Sequence, residues 1–167
     1  MKKRSSQSTA ANINKSQMVI GLALVVLLLI GGLGLLSAQQ SSSSTDHNIV
    51  VYKSPTCGCC KEWVKHLKNN GFSVEVHNQQ NVAPIKRELG VPARLQSCHT
   101  AKVGDYVIEG HVPADLISKL LVEKPKIKGL AVPGMPMGSP GMEGPRKDDY
   151  DIVTFSESGR TSIYASR

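Results

Sequence analysis

The sequence predicts one α/β domain over residues 49–167, built as a mixed sheet with flanking helices. Three observations support this fold class. Short β-branched runs alternate with stretches of helical periodicity. A cluster of cysteines stands between the first such run and the first helical stretch. The chain has 167 residues, the size of one domain, and 40% of them are hydrophobic, which excludes wholesale disorder.

The first predicted strand and helix flank the cysteines. Residues 49–52 form a β-branched run, which Pro55 ends. Apolar residues then recur at helical spacing from Cys60 to Leu67, and Gly71 is a typical stop signal. The cysteine motif is therefore predicted to lie at the N-terminus of the first helix.

The following elements continue the alternation of strand and helix. Residues 72–76 alternate apolar and polar side chains, as a strand does, and residues 82–89 predict a short helix. Residues 106–110 predict another strand, and Pro113 begins a helix with apolar residues at 116–121.

The order of these elements is that of a thioredoxin-like domain: strand, cysteine cluster, helix, strand, helix, Val-Pro, two strands and helix. In that fold a proline, usually cis, faces the cysteine motif from the start of the third strand. Val91-Pro92 stands at the matching position. We therefore predict a cis bond before Pro92 and expect this residue to shape the site.

The C-terminal part predicts a loop and a hairpin. Residues 129–145 are so rich in Gly and Pro that we expect no regular structure there, yet they hold every methionine after residue 38. Residues 151–155 and 161–164 flank Ser158-Gly159 and predict a terminal β-hairpin.

Residues 1–38 predict a signal peptide or an N-terminal membrane anchor. A basic flank precedes an uncharged apolar run at 18–36, which would rise about 28 Å as a helix, close to the thickness of a bilayer core. This length favours an anchor, whereas Ala38 suits a cleavage site, so both alternatives stay open. Either one directs residues 49–167 to the periplasm or another extracytoplasmic space, and the Ser-rich residues 39–48 predict a linker.

The charge distribution argues against a nucleic-acid partner. The net charge is +7, but residues 1–38 hold four basic residues and no acidic one, so the rest of the chain carries only +3. That part has no basic cluster that could follow a phosphate backbone. The positive charge is thus mainly a signal for orientation at the membrane.

Three kinds of chemistry are open to the four cysteines, which are Cys57, Cys59, Cys60 and Cys98. Structural disulfides are common in exported chains, but three cysteines in four residues are unusual for such a framework. The Cys57–Cys60 spacing suits thiol–disulfide exchange at a helix N-terminus, although the extra thiol of Cys59 can trap a mixed disulfide. The third possibility is that the thiolates bind a soft metal ion.

Metal binding accounts best for the sulfur-rich composition. Cys98, approaching from a neighbouring strand, would complete a set of four thiolates, and thioethers of Met135, Met137 or Met142 would extend it. Thiolates together with thioethers select Cu(I), whereas zinc sites use no methionine. The alternative for the methionines is that they fill gaps in the core.

Two histidines are close to this sulfur in the sequence. His111 is a candidate imidazole ligand, with a surface or hydrogen-bonded histidine as the alternative. His99 adjoins Cys98. If Cys98 points to the other cysteines from a strand, His99 should point to the opposite face of the sheet.

Three segments together resemble the CopG-type copper-resistance proteins of bacterial envelopes. They are residues 52–72 with Cys-Gly-Cys-Cys, residues 89–117 with Ser-Cys-His-Thr and Glu-Gly-His-Val-Pro, and residues 129–143 with Val-Pro-Gly-Met-Pro. The resemblance covers about residues 49–165. It implies a thioredoxin-like fold, copper bound through the cysteine cluster, a role in copper tolerance, and interconversion of Cu(I) and Cu(II).

We therefore expect an extracytoplasmic copper-binding protein that acts in copper resistance. The expected ligands of Cu(I), in a mononuclear or multinuclear thiolate site, are Cys57, Cys59, Cys60, Cys98, Met135, Met137 and His111. Expected partners are copper ions and other envelope copper-handling proteins. The alternative function is a thioredoxin-type thiol–disulfide oxidoreductase acting on envelope or copper proteins, so enzyme status stays open.

Overall fold

The computed structural model describes residues 48–167, which form one seven-stranded mixed sheet with flanking helices. The elements in chain order are β1 Asn48–Lys53, α1 Gly58–Asn69, β2 Ser73–Asn78, α2 Ala83–Glu88, a 3-10 turn Ala93–Leu95, β3 His99–Val103, β4 Tyr106–Glu109, α3 Ala114–Glu123, β5 Gly129–Ala131, β6 Asp151–Phe155 and β7 Thr161–Ser166. The leader or anchor predicted at residues 1–38 lies outside the described residues, as does nearly all of the linker. Within the described part, no helix is long and apolar enough to cross a membrane.

The sheet has the strand order β2-β1-β3-β4-β5-β6-β7. The pairs β1–β2 and β4–β5 are parallel, and the other neighbouring strands are antiparallel. The predicted mixed sheet with flanking helices and the terminal hairpin of β6 and β7 are confirmed. The end of β1 lies beside the start of β3, because Lys53 pairs with His99. The start of α1 lies near the same strand ends, because α1 follows β1 after a short connection.

The core lies on both faces of the sheet, since consecutive strand residues point to opposite sides. On the first face, α1 and α3 pack Trp63, Leu67 and Ile117 against strand residues such as Ile108. On the second face a smaller cluster gathers around Phe155. Packing in this large first-face cluster fixes α1, and therefore positions the cysteine motif at the start of this helix.

Residues 129–145 are not wholly irregular, so this prediction is wrong at its N-terminal end. Gly129–Ala131 form β5, a fully buried strand between β4 and β6. A Cβ at Gly129 would stand 1.9 Å from the carbonyl oxygen of Val107 and 2.9 Å from the ring of Phe155. Gly129 is therefore needed here for close approach of the strands and does not mark a turn. The irregular segment, called the Met-rich loop below, spans residues 132–145.

The predicted cis bond at Pro92 is also wrong, because no peptide bond in residues 48–167 is cis. Pro92 caps the 3-10 turn with φ −57° and ψ 135°, and its carbonyl accepts a hydrogen bond from Leu95 N. β3 begins only at His99, so Pro92 does not open that strand. Val91 and Leu95 anchor the segment in the second-face cluster. The role of Pro92 in shaping the site stays a prediction.

Candidate metal centre

The Cys-Gly-Cys-Cys motif forms the N-terminus of α1. Cys57 is the N-cap, and its sulfur accepts a hydrogen bond of 3.3 Å from the backbone N–H of Cys60. A helix N-terminus favours negative charge at this sulfur, because its N–H groups and dipole point outward. The sulfurs of Cys57 and Cys60 form a disulfide, and the free sulfur of Cys59 lies 3.4 Å from that of Cys57.

Cys98 reaches this motif from the residue before β3. Its sulfur and those of Cys57, Cys59 and Cys60 all lie within 4.8 Å of one another, and we call these four residues the thiol cluster. Cys60 is buried, whereas the other three are partly exposed. Burial, with a smaller contribution from Cys59, raises the pKa of Cys98 to about 11. A metal ion binding here must therefore displace the Cys98 proton.

The structure adds two buried imidazoles to the thiol cluster. The Sγ atom of Cys98 lies 3.4 Å from Nδ1 of His99 and 3.1 Å from Nε2 of His111. Both rings are fully buried, and burial lowers the pKa of each. Both imidazoles are therefore neutral at physiological pH.

His99 does not point away from Cys98, so that prediction is wrong. The alternation of faces applies within a strand, and β3 begins at His99, which leaves Cys98 outside it. The His99 ring instead lies on the first face of the sheet, with its centroid 4.3 Å from that of Trp63 and 4.9 Å from that of His111. Sequence reasoning left its role undecided, and its place next to Cys98 was the only available signal.

The Met-rich loop reaches the site through its backbone. The carbonyl oxygen of Pro140 lies 2.8 Å from Nδ1 of His111. Gly141 follows with φ +85°, and a Cβ there would stand 2.6 Å from the carbonyl oxygen of Cys59. Only glycine allows this loop to approach α1 so closely. The loop therefore holds His111 through the ring nitrogen that does not contact Cys98.

The thioethers of Met135 and Met137 lie in different surroundings within the Met-rich loop. Met135 is 53% exposed. Met137 packs on Gly144, where a Cβ would stand 2.3 Å from its sulfur. Their assignment as copper ligands stays a prediction.

Two solved structures are similar to this chain in both fold and sequence. They are described as copper resistance protein CopG, forms 1 and 2, and each is 47% identical to this chain with a TM-score of 0.68. Each match covers 72% of this chain and 97% or 96% of the CopG chain. The chain belongs to the CopG copper-resistance family.

A family model described as "Protein of unknown function, DUF411" matches residues 95–142 of this CopG family member. That segment contains Cys98, both buried histidines and residues 132–142 of the Met-rich loop, but not the Cys-Gly-Cys-Cys motif. A search of curated proteins finds no match. Family membership and the thiol cluster together indicate a copper-related function.

A buried ion pair fixes the segment through which this CopG family member presents Cys98. Glu109 Oε1 lies 2.6 Å from Nζ of Lys86 and accepts a hydrogen bond of 2.5 Å from the backbone N–H of Ser97. Thr100 donates its hydroxyl to the other carboxylate oxygen. Burial raises the pKa of Glu109, and the charge of Lys86 offsets part of that rise.

Sequence reasoning missed this ion pair. A charged residue in the apolar strand Tyr106–Glu109 was the signal that could have found Glu109. Since Ser97 directly precedes Cys98, the pair stabilises the backbone at the thiol cluster.

The redox state of the thiol cluster decides how many ligands it offers. With the Cys57–Cys60 disulfide formed, the free thiols of the described residues are Cys59 and Cys98. Reduction by two electrons and two protons would release two further thiols at the same place. A framework of structural disulfides alone does not fit these two partly exposed free thiols.

Proposed function

We propose that this protein binds Cu(I) in an extracytoplasmic compartment as part of copper resistance. The observation that carries the proposal is the convergence of four cysteine sulfurs within 4.8 Å. Thiolates at such distances can enclose one ion or bridge several, and sulfur ligands favour Cu(I). The name of the CopG relatives supports copper as the metal, and their 47% identity extends over nearly their whole length.

The proposed ligands are the four cysteines of the thiol cluster, with His111, Met135 and Met137 as auxiliary ligands. His111 is the best supported of the three auxiliary ligands, because its Nε2 atom faces the sulfur of Cys98 at 3.1 Å. All four thiolates are available only after reduction of the Cys57–Cys60 disulfide. Copper loading therefore requires a reductant.

Copper stoichiometry tests this function. The purified protein is reduced, loaded with Cu(I) without oxygen in the presence of a competing chelator, and analysed for copper per chain. Cys59→Ser, Cys60→Ser and Cys98→Ser should each lower the retained copper. His111→Gln should weaken binding, whereas His77→Gln should not, because His77 lies on the exposed strand β2 beside Glu75. Full retention of copper by the Cys59→Ser and Cys60→Ser variants would refute the proposal.

A second candidate function is thiol–disulfide or copper redox chemistry, which the Cys57–Cys60 disulfide favours. In the balanced copper reaction, two Cu(II) ions oxidise the two thiols, giving two Cu(I) ions, one disulfide and two protons. Adding Cu(II) to the reduced protein should then yield two Cu(I) per disulfide formed. In simple thiol–disulfide exchange with a protein substrate, Cys59→Ser should leave activity intact while Cys57→Ser abolishes it.

A further inference from the structure

Ser97 connects the thiol cluster to the Met-rich loop. It directly precedes Cys98, and its hydroxyl donates a hydrogen bond of 2.8 Å to the carbonyl oxygen of Gly134. Met135, a proposed auxiliary ligand, is the next residue of the loop. The hydrogen bond therefore joins the residue before one proposed ligand to the residue before another.

The backbone of Ser97 is itself held in place by the end of β4. Its N–H donates a hydrogen bond of 2.5 Å to the buried carboxylate of Glu109. An added Cβ at Gly110 would stand 2.9 Å from Cβ of Ser97 and 2.8 Å from the carbonyl oxygen of Val132, so these residues are in close contact. The N–H of Val132 donates to the carbonyl of Glu109 at 3.0 Å. Ser97 and the first residue of the Met-rich loop are thus both attached to the end of β4.

Met135 is attached to the domain by fewer hydrogen bonds than Met137. In the described part of the chain the backbone of Met135 makes no hydrogen bond, and the carbonyl of Pro136 accepts hydrogen bonds only from within the loop. Met137, by contrast, has both its N–H and its carbonyl paired with Asp148. The hydrogen bond nearest to Met135 that links the loop to the site therefore comes from Ser97.

We propose that Ser97 is a positioning residue that holds the backbone at Met135, so that the thioether of Met135 can bind Cu(I) at the thiol cluster. This inference rests on the proposed function. The Met135 side chain is flexible and half exposed, so it can turn to an ion that has bound to the thiolates. A backbone that is already in place reduces the entropy lost in that step. Ser97 thereby favours Cu(I) over metal ions that do not bind thioethers.

The choice of metal ion distinguishes this role from a general one. Thioethers bind Cu(I), whereas zinc sites use cysteine, histidine and carboxylate ligands and no methionine. The four thiolates of the thiol cluster can bind either ion once the disulfide is reduced. A residue that acts through Met135 should therefore change the affinity for Cu(I) and leave the affinity for Zn(II) unchanged.

The competing interpretation is that Ser97 acts on Cys98 directly. Burial raises the pKa of Cys98, and a hydrogen bond from the Ser97 side chain offsets part of that rise. Such a contact would help every metal ion that binds Cys98. Loss of the Ser97 hydroxyl would then weaken the binding of Cu(I) and Zn(II) alike, whether or not Met135 is present.

Competition titrations on the reduced protein test the proposal. The affinities for Cu(I) and Zn(II) are each measured without oxygen against a chelator for that ion, in Ser97→Ala, Met135→Leu and the double variant. Ser97→Ala should lower the Cu(I) affinity about fivefold, the size expected for one hydrogen bond, and change the Zn(II) affinity by less than about twofold. The double variant should bind Cu(I) no more weakly than Met135→Leu alone, because the hydroxyl acts through the thioether.

Ser162→Ala is the matched control. The Ser162 hydroxyl lies 2.7 Å from that of Thr154 on the exposed terminal hairpin, so its removal should leave both affinities unchanged. Ser97→Ala keeps the backbone N–H that Glu109 holds, and its fold should therefore be retained. Urea unfolding followed by the fluorescence of Trp63 checks this.

The other outcomes of the titrations are also decisive. Equal losses of Cu(I) and Zn(II) affinity in Ser97→Ala would place the action of this residue on Cys98 or on the fold, and would refute the proposal. It also fails if Met135→Leu keeps the full Cu(I) affinity, or if loss of the Ser97 hydroxyl weakens Cu(I) binding further in the double variant.

Backbone NMR relaxation of the copper-free protein tests the hydrogen bond separately from the metal. In Ser97→Ala the amide order parameters of Gly134 and Met135 should fall, whereas that of Met137 should keep its value, because Asp148 holds it. Unchanged order at Gly134 and Met135 would overturn the positioning role. If the unchanged protein binds no Cu(I), the proposed function fails, while this measurement still decides whether Ser97 fixes the loop.

Discussion

Replacing Lys86 by methionine should destabilise the domain by about 3 kcal/mol, because it leaves the Glu109 carboxylate buried without its counter-charge. The two side chains are 3% and 0% exposed, and Nζ and Oε1 are 2.6 Å apart. Removing one partner of a buried pair costs roughly 3–5 kcal/mol. The lower end applies here, because Glu109 keeps its hydrogen bonds from Ser97 and Thr100.

The double variant Lys86→Met/Glu109→Met should be less destabilised than Lys86→Met alone. It removes both charges, and the remaining cost is mainly the unpaired backbone N–H of Ser97, about 1–3 kcal/mol. The two substitutions should therefore be non-additive by about 1 kcal/mol or more, as expected for residues in direct contact.

Urea unfolding followed by tryptophan fluorescence measures these differences, because Trp63 is the single tryptophan and lies fully buried in the core. All variants are compared in the same disulfide state. Lys65→Met is the matched control, since Lys65 pairs with Glu62 at 3.6 Å on an exposed helix surface and should change the free energy of unfolding by less than about 0.5 kcal/mol. If Lys86→Met unfolds at the same urea concentration as this control, the argument from the buried charge is wrong.

Three further substitutions test how the loop, the sheet and one helix terminus are held. Gly141→Ala should weaken copper binding more than Gly134→Ala. Both glycines have positive φ, but only Gly141 lies against α1. Equal copper affinities of the two variants would argue against a role of the loop contact in copper binding. Gly129→Ala should cost at least about 3 kcal/mol of unfolding free energy through overlap with β4, whereas Gly58→Ala, with open space around it, should be neutral or stabilising by up to about 1 kcal/mol in urea unfolding. The third concerns His66, whose Nε2 accepts the N–H of the first residue of α3 and whose pKa is lowered by burial. The unfolded chain therefore binds a proton at His66 more readily than the folded chain does. The contribution of His66 to the free energy of unfolding is retained above pH about 6.5 and falls as the pH drops towards the lower folded-state pKa. His66→Gln should flatten this part of a pH series of melting temperatures, and an unchanged slope would assign it to other groups.

The order of strands and helices could be predicted from the sequence because periodicity reports burial directly. The alternation in residues 72–76 and the helical spacing from Cys60 to Leu67 both correspond to observed elements. β5 could not be predicted, because a three-residue strand that begins with glycine has no periodicity. Its stability comes from pairing with β4 and β6, which are distant in the sequence.

Only part of the candidate site could be predicted from the sequence. The sequence places three cysteines within four residues, and covalent connection alone keeps those side chains close at the start of one helix. It does not place Cys98 or His111, which are brought to that helix by the pairing of β1 with β3 and of β3 with β4. The assumption that Cys98 lies within a strand also led to the wrong orientation of His99.

The sequence by itself determined the chemistry of this protein: a sulfur-rich motif at a helix N-terminus, a methionine-rich loop, and segments that resemble CopG proteins. The tertiary structure decided what surrounds the two imidazoles. His111 contacts the sulfur of Cys98 and the carbonyl of Pro140, whereas His99 contacts the sulfur of Cys98 and the ring of Trp63. Most of these contacts join residues far apart in the chain, so they arise only when the sheet has formed.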